Sequence, residues 1–198
     1  MATPAILYLH GFRSSPASVK ARQLVAAVDA LPRERRPQLH VPHVDTGPAR
    51  AMAQMSAWIE ANVANPPDAL TIVGSSLGGF YATHLAERFG ARAVPINPTI
   101  RPYDDLEPYV GAQTNLYTGE TFVVTTQHFV ELRRLAVGAI TRPERYWLMV
   151  QTGDEVLDYR EAVAFYAGAF QLVLGGGDHA FQHFDDQISA VLRFAGAA

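Results

Sequence analysis

Along most of the chain, apolar runs of strand length alternate with longer stretches of helical periodicity. Residues 5–10, AILYLH, form an unbroken apolar run that ends at Gly11, as expected of a strand buried on both faces. The spacing predicts a helix over 14–31, with Ser15 as N-cap, Pro16 at the first helical position, and Val19, Leu24, Val28 and Leu31 as one apolar stripe. Residues 39–44, LHVPHV, read as a weaker strand, because Pro42 suits a sheet edge or a strand end. A second helix is expected over 48–63, where Met52, Met55, Ile59 and Val63 recur at helical spacing and read as core. Strand 69–74, a helix from Leu77 to Phe89 closed by Gly90, and strand 92–96 follow.

The rhythm breaks between 98 and 144, where turn residues, a strandlike stretch at 121–125 and a helix over 129–140 are expected. It resumes with strand 146–151, helix 159–167, strand 170–174 and a last helix over 184–194. Strand, turn and helix in repetition predict an α/β fold: a mostly parallel sheet with helices on both faces. Such sheets place ligands beyond the carboxyl ends of their strands. The informative residues are then those just after each apolar run: His10-Gly11-Phe12, Ser75-Ser76-Leu77, Asn97-Pro98, Thr152-Gly153-Asp154 and Gly177-Asp178-His179.

Composition narrows the choice of chemistry. The 198 residues, 48% hydrophobic, suit one globular domain over 1–198. There is no cysteine, which excludes disulfides, thiolate nucleophiles and Cys-ligated metals. A net charge of −3, with Lys20 as the sole lysine, is not built to track a phosphate backbone, so no nucleic-acid partner is expected. The opening MATPAILYLHG lacks a basic leader, and no apolar stretch reaches the roughly 18 residues of a membrane span. A soluble, cytoplasmic protein is the expectation.

Gly74-Ser75-Ser76-Leu77-Gly78 matches G-x-S-x-G between a predicted strand and a predicted helix, the context that the motif needs. A nucleophile there occupies a strained turn that lifts its hydroxyl above the sheet, so the residues two before and two after must be small. The alternative is a glycine-rich turn without chemistry. GSSLGG, however, lacks both the spacing of a dinucleotide loop and the lysine of a phosphate loop. Ser76, at the centre of the motif, is the candidate rather than Ser75.

A serine hydroxyl needs a base, and the base an orienting acid. His128, His179 and His183 all follow the middle of the chain; only His179 comes directly after an apolar strand, in the loop GGGDHAF. Asp154, just beyond the strand YWLMVQ, is the candidate acid. Asp158 is the runner-up, but it reads better as a helix N-cap forming a capping box with Glu161. Asp178 reads as a loop hydrogen-bonder and His10 as a structural one. Candidate oxyanion donors are the backbone N–H groups of Leu77 and Phe12. Arg13 is placed to meet either an anionic substrate or a surface carboxylate.

The stretches ILYLHGFRSSPASVKA (6–21), TIVGSSLGGFYATHLAERFG (71–90), INPTIRPYDDL (96–106), QTGDEVLDYREAV (151–163) and GGDHAFQHF (176–184) together resemble the compact bacterial YqiA-like esterases of the α/β-hydrolase superfamily. The resemblance spans nearly the whole chain. It implies Ser76 as nucleophile, Asp154 as acid, His179 as base, and the amides of Phe12 and Leu77 as oxyanion donors. It also implies hydrolysis of carboxylic esters with short acyl groups, with neither metal nor organic cofactor, and residues 98–145 as a small cap within the domain. Tyr103, Tyr109, Tyr117 and Phe122 are the cap's aromatic candidates. The competing expectations are an acyl thioesterase, acyl-CoA included, and a non-catalytic binding protein on the same scaffold. Oligomeric state is not legible in the sequence.

Overall fold

The computed structural model describes residues 3–197; residues 1, 2 and 198 of the expected domain lie outside the described residues. The strands, in chain order, are β1 (Ala5–Leu9), β2 (Gln38–His40), β3 (Leu70–Ser75), β4 (Arg92–Ile96), β5 (Gly111–Thr114), β6 (Thr121–Val124), β7 (Trp147–Gln151) and β8 (Phe170–Leu174). The α-helices are α1 (Val19–Asp29), α2 (Pro48–Asn62), α3 (Pro66–Ala69), α4 (Leu77–Phe89), α5 (Pro102–Asp105), α6 (Thr126–Leu135), α7 (Tyr159–Phe165) and α8 (Asp185–Phe194).

Six strands form one parallel sheet in the order β2-β1-β3-β4-β7-β8, while β5 and β6 pair as a separate antiparallel hairpin. Alternate side chains of a strand leave opposite faces. Ile6, Tyr8, Val73 and Val94 accordingly meet α1 and α8, whereas Leu7, Leu9 and Ile72 meet α2 and α4. Leu148 and Val150 of β7 share a third cluster with Ala86 of α4 and Ala162 of α7. Helices on both faces explain why the central strands are apolar without alternation. The chain steps from β1 to β2 on one side and then to β3 on the other, so the carboxyl ends of β1 and β3 flank the crevice at which open α/β sheets bind ligands. Pairing between β4 and β7 is the sparsest: Ile96 against Met149, with one isolated bridge from Ala93 to Tyr146.

Several sequence expectations need correction. The first helix starts at Val19 with Ser18 at its N-cap, because Ser15 Oγ instead accepts the Ala17 N–H in a local turn. Val19 is 53% exposed and leaves the apolar stripe that Leu24 and Val28 maintain. The strand near Pro42 shrinks to three residues at the sheet edge. The helix expected at 129–140 runs over 126–135 instead, started by a capping box between Thr125 and His128. Asp158 does cap α7, but Glu161 pairs with Arg101 at 2.6 Å rather than closing a capping box. Strand β5 had no signal in the sequence. Met52, Met55, Ile59 and Val63 are all buried, as expected.

Candidate active site

Ser76 links the end of β3 to the start of α4 with φ 55° and ψ −120°, a conformation that costs a non-glycine residue about 1–3 kcal/mol. Neighbouring backbone enforces the turn. A Cβ on Gly74 would lie 2.1 Å from the Gly78 carbonyl oxygen, and one on Gly78 would lie 2.1 Å from the Leu9 carbonyl oxygen. Two glycines flanking the serine at this spacing are therefore a steric requirement. Gly78→Ala is expected to destabilise the fold by about 3 kcal/mol, the upper end for overpacking, since the obstacle is the backbone of β1 rather than a side chain that can move aside. An unchanged urea midpoint would refute this.

Ser76 stands at the N-cap of α4, where a serine ordinarily caps the helix, yet its side chain makes no capping bond. Its Oγ instead lies 3.1 Å from His179 Nε2. Nδ1 of His179 faces Asp154, at 3.0 Å from Oδ1 and 2.9 Å from Oδ2. The Asp154 side chain is 2% exposed, that of His179 23%. Asp154 Oδ1 also accepts the N–H groups of Val156 and Leu157, each at 2.9 Å. Burial alone would push this carboxyl up. The bonds from His179, Leu157 and Val156, together with attraction to the His179 ring, outweigh that and hold it below the usual carboxylate range.

The loop after β1 runs against Ser76: a Cβ on Gly11 would sit 3.1 Å from Ser76 Cβ and 3.6 Å from its Oγ. Among the described residues neither the Phe12 nor the Leu77 backbone N–H meets a hydrogen-bond acceptor. Leu77 opens α4, whose positive end faces the same space. The hairpin fixes this loop from outside, with Leu116 N–H donating to the Arg13 carbonyl at 2.8 Å and Asn115 Nδ2 to the Ser14 carbonyl at 2.8 Å. Phe12 packs edge-on against Tyr109 and Phe122.

A family model described as uncharacterised protein family UPF0227 matches residues 5–196. The chain belongs to UPF0227. Solved structures that share its fold include a protein from Agrobacterium vitis S4, at 20% identity and TM-score 0.72, covering 98% of this chain and 88% of that one. Another is the mouse alpha/beta hydrolase domain-containing protein 10, at 15% identity and TM-score 0.68, covering 98% and 90%. A third is a monoacylglycerol lipase from Paleococcus ferrophilus, at 13% identity and TM-score 0.68, covering 100% and 97%. At these identities the likeness establishes the α/β-hydrolase fold.

In this UPF0227 chain the other candidates make no hydrogen bond to Ser76 among the described residues, although His183 lines a cavity that reaches it. His128 is tied to Thr125 in its capping box, and His183 is exposed at the mouth of α8. Asp178 Oδ2 accepts from Gln182 Nε2 at 2.8 Å, as a loop hydrogen-bonder would. Arg13 Nε donates to the Thr114 carbonyl, and no carboxylate pairs with it among the described residues. Among the described residues no three His, Cys, Asp or Glu side chains converge as a metal-ligand set, and no helix is long and apolar enough to cross a membrane.

Two residues of this UPF0227 site were given no role by sequence reasoning. Asn97, at φ 38° after β4, donates Nδ2 to the carbonyls of Asp178 (3.0 Å) and His179 (3.1 Å) and accepts the Gln151 N–H at 3.0 Å. Gln151 Oε1 accepts the N–H groups of Asp178 and Gln182. Together they hold the loop that carries His179. Asn97 stood among the residues after strands, and its signal was an amide in a place where apolar residues or turn glycines suffice.

His10 is buried, donating from Nδ1 to the Gly11 carbonyl and accepting the Val44 N–H at Nε2. Burial pushes its pKa down to about 4, against the opposing bond to Gly11 and with a smaller push from His43. The unfolded chain, titrating near 6.5, therefore takes up this proton first as pH falls. His10 thus contributes about 3 kcal/mol above pH 6.5 that is lost progressively towards pH 4. In His10→Asn the unfolding midpoint should fall less steeply between pH 6.5 and 4.5; parallel slopes would refute the assignment.

Proposed function

We propose that this protein is a serine hydrolase that cleaves carboxylic esters, acting as a YqiA-like esterase. The reading is carried by one observation: a strained Ser76 that gives up its capping bond and faces His179, itself held by buried Asp154. His179 Nε2 takes the hydroxyl proton as Ser76 Oγ attacks the carbonyl carbon. Asp154 keeps the proton on Nδ1 and stabilises the imidazolium that forms. The Phe12 and Leu77 amides receive the oxyanion, each donor worth roughly 3 kcal/mol in such sites. His179 then protonates the leaving alcohol, and water cleaves the acyl-enzyme along the reverse proton path. No step requires a metal or an organic cofactor.

Residues 98–145 act as a cap in this reading. Leu106, Pro108, Tyr109 and Leu116 line an apolar cleft of about 400 Å³ that also reaches Ser76, His179 and Leu157. That volume suits a short acyl chain. A thioester, acyl-CoA included, meets the same geometry and differs only in its leaving group. A monoacylglycerol lipase among the proteins of this fold agrees with ester chemistry.

The test is a fluorophosphonate probe with peptide mapping, run beside a panel of short-acyl esters and thioesters. One adduct, at Ser76, together with ester turnover is the expected result. A folded protein with neither adduct nor turnover refutes the reading and favours a binding protein on this scaffold.

A further inference from the structure

A second cavity, of about 470 Å³, meets the apolar cleft at Ser76 and His179 but extends the other way, towards α1. Its far wall includes Tyr8, Ser18, Val19, Lys20 and Gln23. Its lining is largely apolar, as in the other cleft, and polar groups gather at the far wall, where Ser18, Lys20 and Gln23 stand.

Three observations concern the N-terminus of α1. Ser18 occupies the N-cap, yet its side chain makes no capping bond. Its Oγ is buried in a residue only 7% exposed, lines the cavity beside the Tyr8 hydroxyl, and meets no partner in full hydrogen-bond geometry among the described residues. Gln23 Oε1, one turn further on, is a second buried oxygen without a partner, and its carboxamide can turn to present its amino group instead. Buried polar atoms left unpaired cost about 1–3 kcal/mol each, so two in one wall call for an explanation. The first turn of a helix adds N–H groups with no intrahelical acceptor and the positive end of the macrodipole. α1 carries no acidic residue in its first turn to use them.

Lys20 is the only lysine of the chain, and it too lines the cavity. Its Nζ donates to the Ala180 carbonyl, which leaves two further donors. Burial pushes its pKa down to about 8, while Asp178 pulls the other way, so it carries its charge at neutral pH. Arg13 adds a second cation to the lining, and two carboxylates stand against them: Glu155, which accepts the His179 N–H at 3.0 Å, and Asp178, which attracts Lys20 and whose Oδ1 is buried without a partner among the described residues.

We infer that the N-terminus of α1, with Ser18 and Lys20, binds an anionic group, a carboxylate or a phosphate, borne by the substrate whose carbonyl reaches Ser76. The inference rests on the esterase reading and adds a substrate class: esters with an apolar arm and an anionic arm. Helix amides, a hydroxyl and an ammonium around one cavity are the donors such a group takes. Lys20 is then a specificity determinant that touches the substrate away from the reacting bond.

The test uses the full chain and two matched pairs of phenyl esters. In one the phenyl ring bears a para-linked chain that ends in a carboxylate or in a methyl group; in the other that chain ends in a phosphate monoester or in a methyl group, so that the short acyl chain keeps the apolar cleft and the alcohol arm reaches α1. The anionic member should be favoured in kcat/KM by about tenfold or more in at least one pair, and the pair that responds identifies the anion. Lys20→Met should remove most of that ratio and Lys20→Arg should restore it. A neutral preference in both pairs overturns the inference. So does a ratio that Lys20→Met leaves alone, which would make Lys20 only a latch on the Ala180 carbonyl. Should no ester turn over at all, the esterase reading fails by itself. Calorimetric titration of Ser76→Ala with the same compounds then decides the anion site, an anionic preference in Kd that depends on Lys20 supporting it and equal affinities overturning it.

Discussion

Ser76→Ala is expected to lower ester turnover by on the order of 10⁶-fold in kcat while leaving the fold intact. The hydroxyl is the only group the substitution removes, and it makes no capping bond whose loss would weaken α4. Alanine inherits the same φ of 55°, so backbone strain is common to both proteins. Stability should therefore change little, which separates lost chemistry from lost structure. In the proposed mechanism, the residual rate reports what the Phe12 and Leu77 amides achieve without a nucleophile. Turnover within tenfold of the parent would place the chemistry elsewhere, and the fluorophosphonate adduct would then map to another residue.

Asp154→Asn should be severe too, at about 10⁴-fold in kcat, for a reason specific to this site. Oδ1 accepts two backbone N–H groups, from Val156 and Leu157. An asparagine must keep its oxygen there, which puts its amino group where Oδ2 now lies, 2.9 Å from His179 Nδ1. Two donors cannot share that contact, and the one oxygen left, 3.0 Å from Nδ1, already takes two backbone N–H groups. Nδ1 becomes the acceptor, the ring proton moves to Nε2, and His179 can no longer take the proton from Ser76. The pH–rate profile of the variant should recover at high pH, where hydroxide replaces the lost base. A kcat within threefold of the parent would show that Asp154 does not set the tautomer.

The sequence was most legible where local and tertiary forces agree. β3, the Ser76 turn and α4 form an apolar run, a glycine-flanked serine and an amphipathic helix, and each alone favours what the fold requires. The arrangement of Ser76, Asp154 and His179 was legible for a related reason: parallel strands deliver the residues that follow them to one edge. The start of α1 was misread because Ser15-Pro16 is equally good turn chemistry, and Val19 because a valine at helical spacing faces a cavity rather than the core. β5 carries little apolar character; its place is set by pairing with β6 and by the tie of the hairpin to Arg13 and Ser14. The roles of Asn97 and Gln151 depend on loops that are remote in sequence, and no periodicity encodes those contacts.

The sparse pairing of β4 with β7 has a consequence for the chemistry. Ser76 belongs to the half of the sheet that ends at β4, whereas Asp154 and His179 hang from β7 and β8. The hydrogen bond between Ser76 and His179 thus crosses a seam between two half-sheets, and Asn97 is the rivet through it. The halves still share a core, since Met149 packs with Val73 and Val94, and Leu148 with Ala86 and Ala93, so what thins at the seam is the hydrogen-bonded ladder. In the proposed mechanism, the meeting of Ser76 with His179 therefore depends on how tightly these two halves are held together.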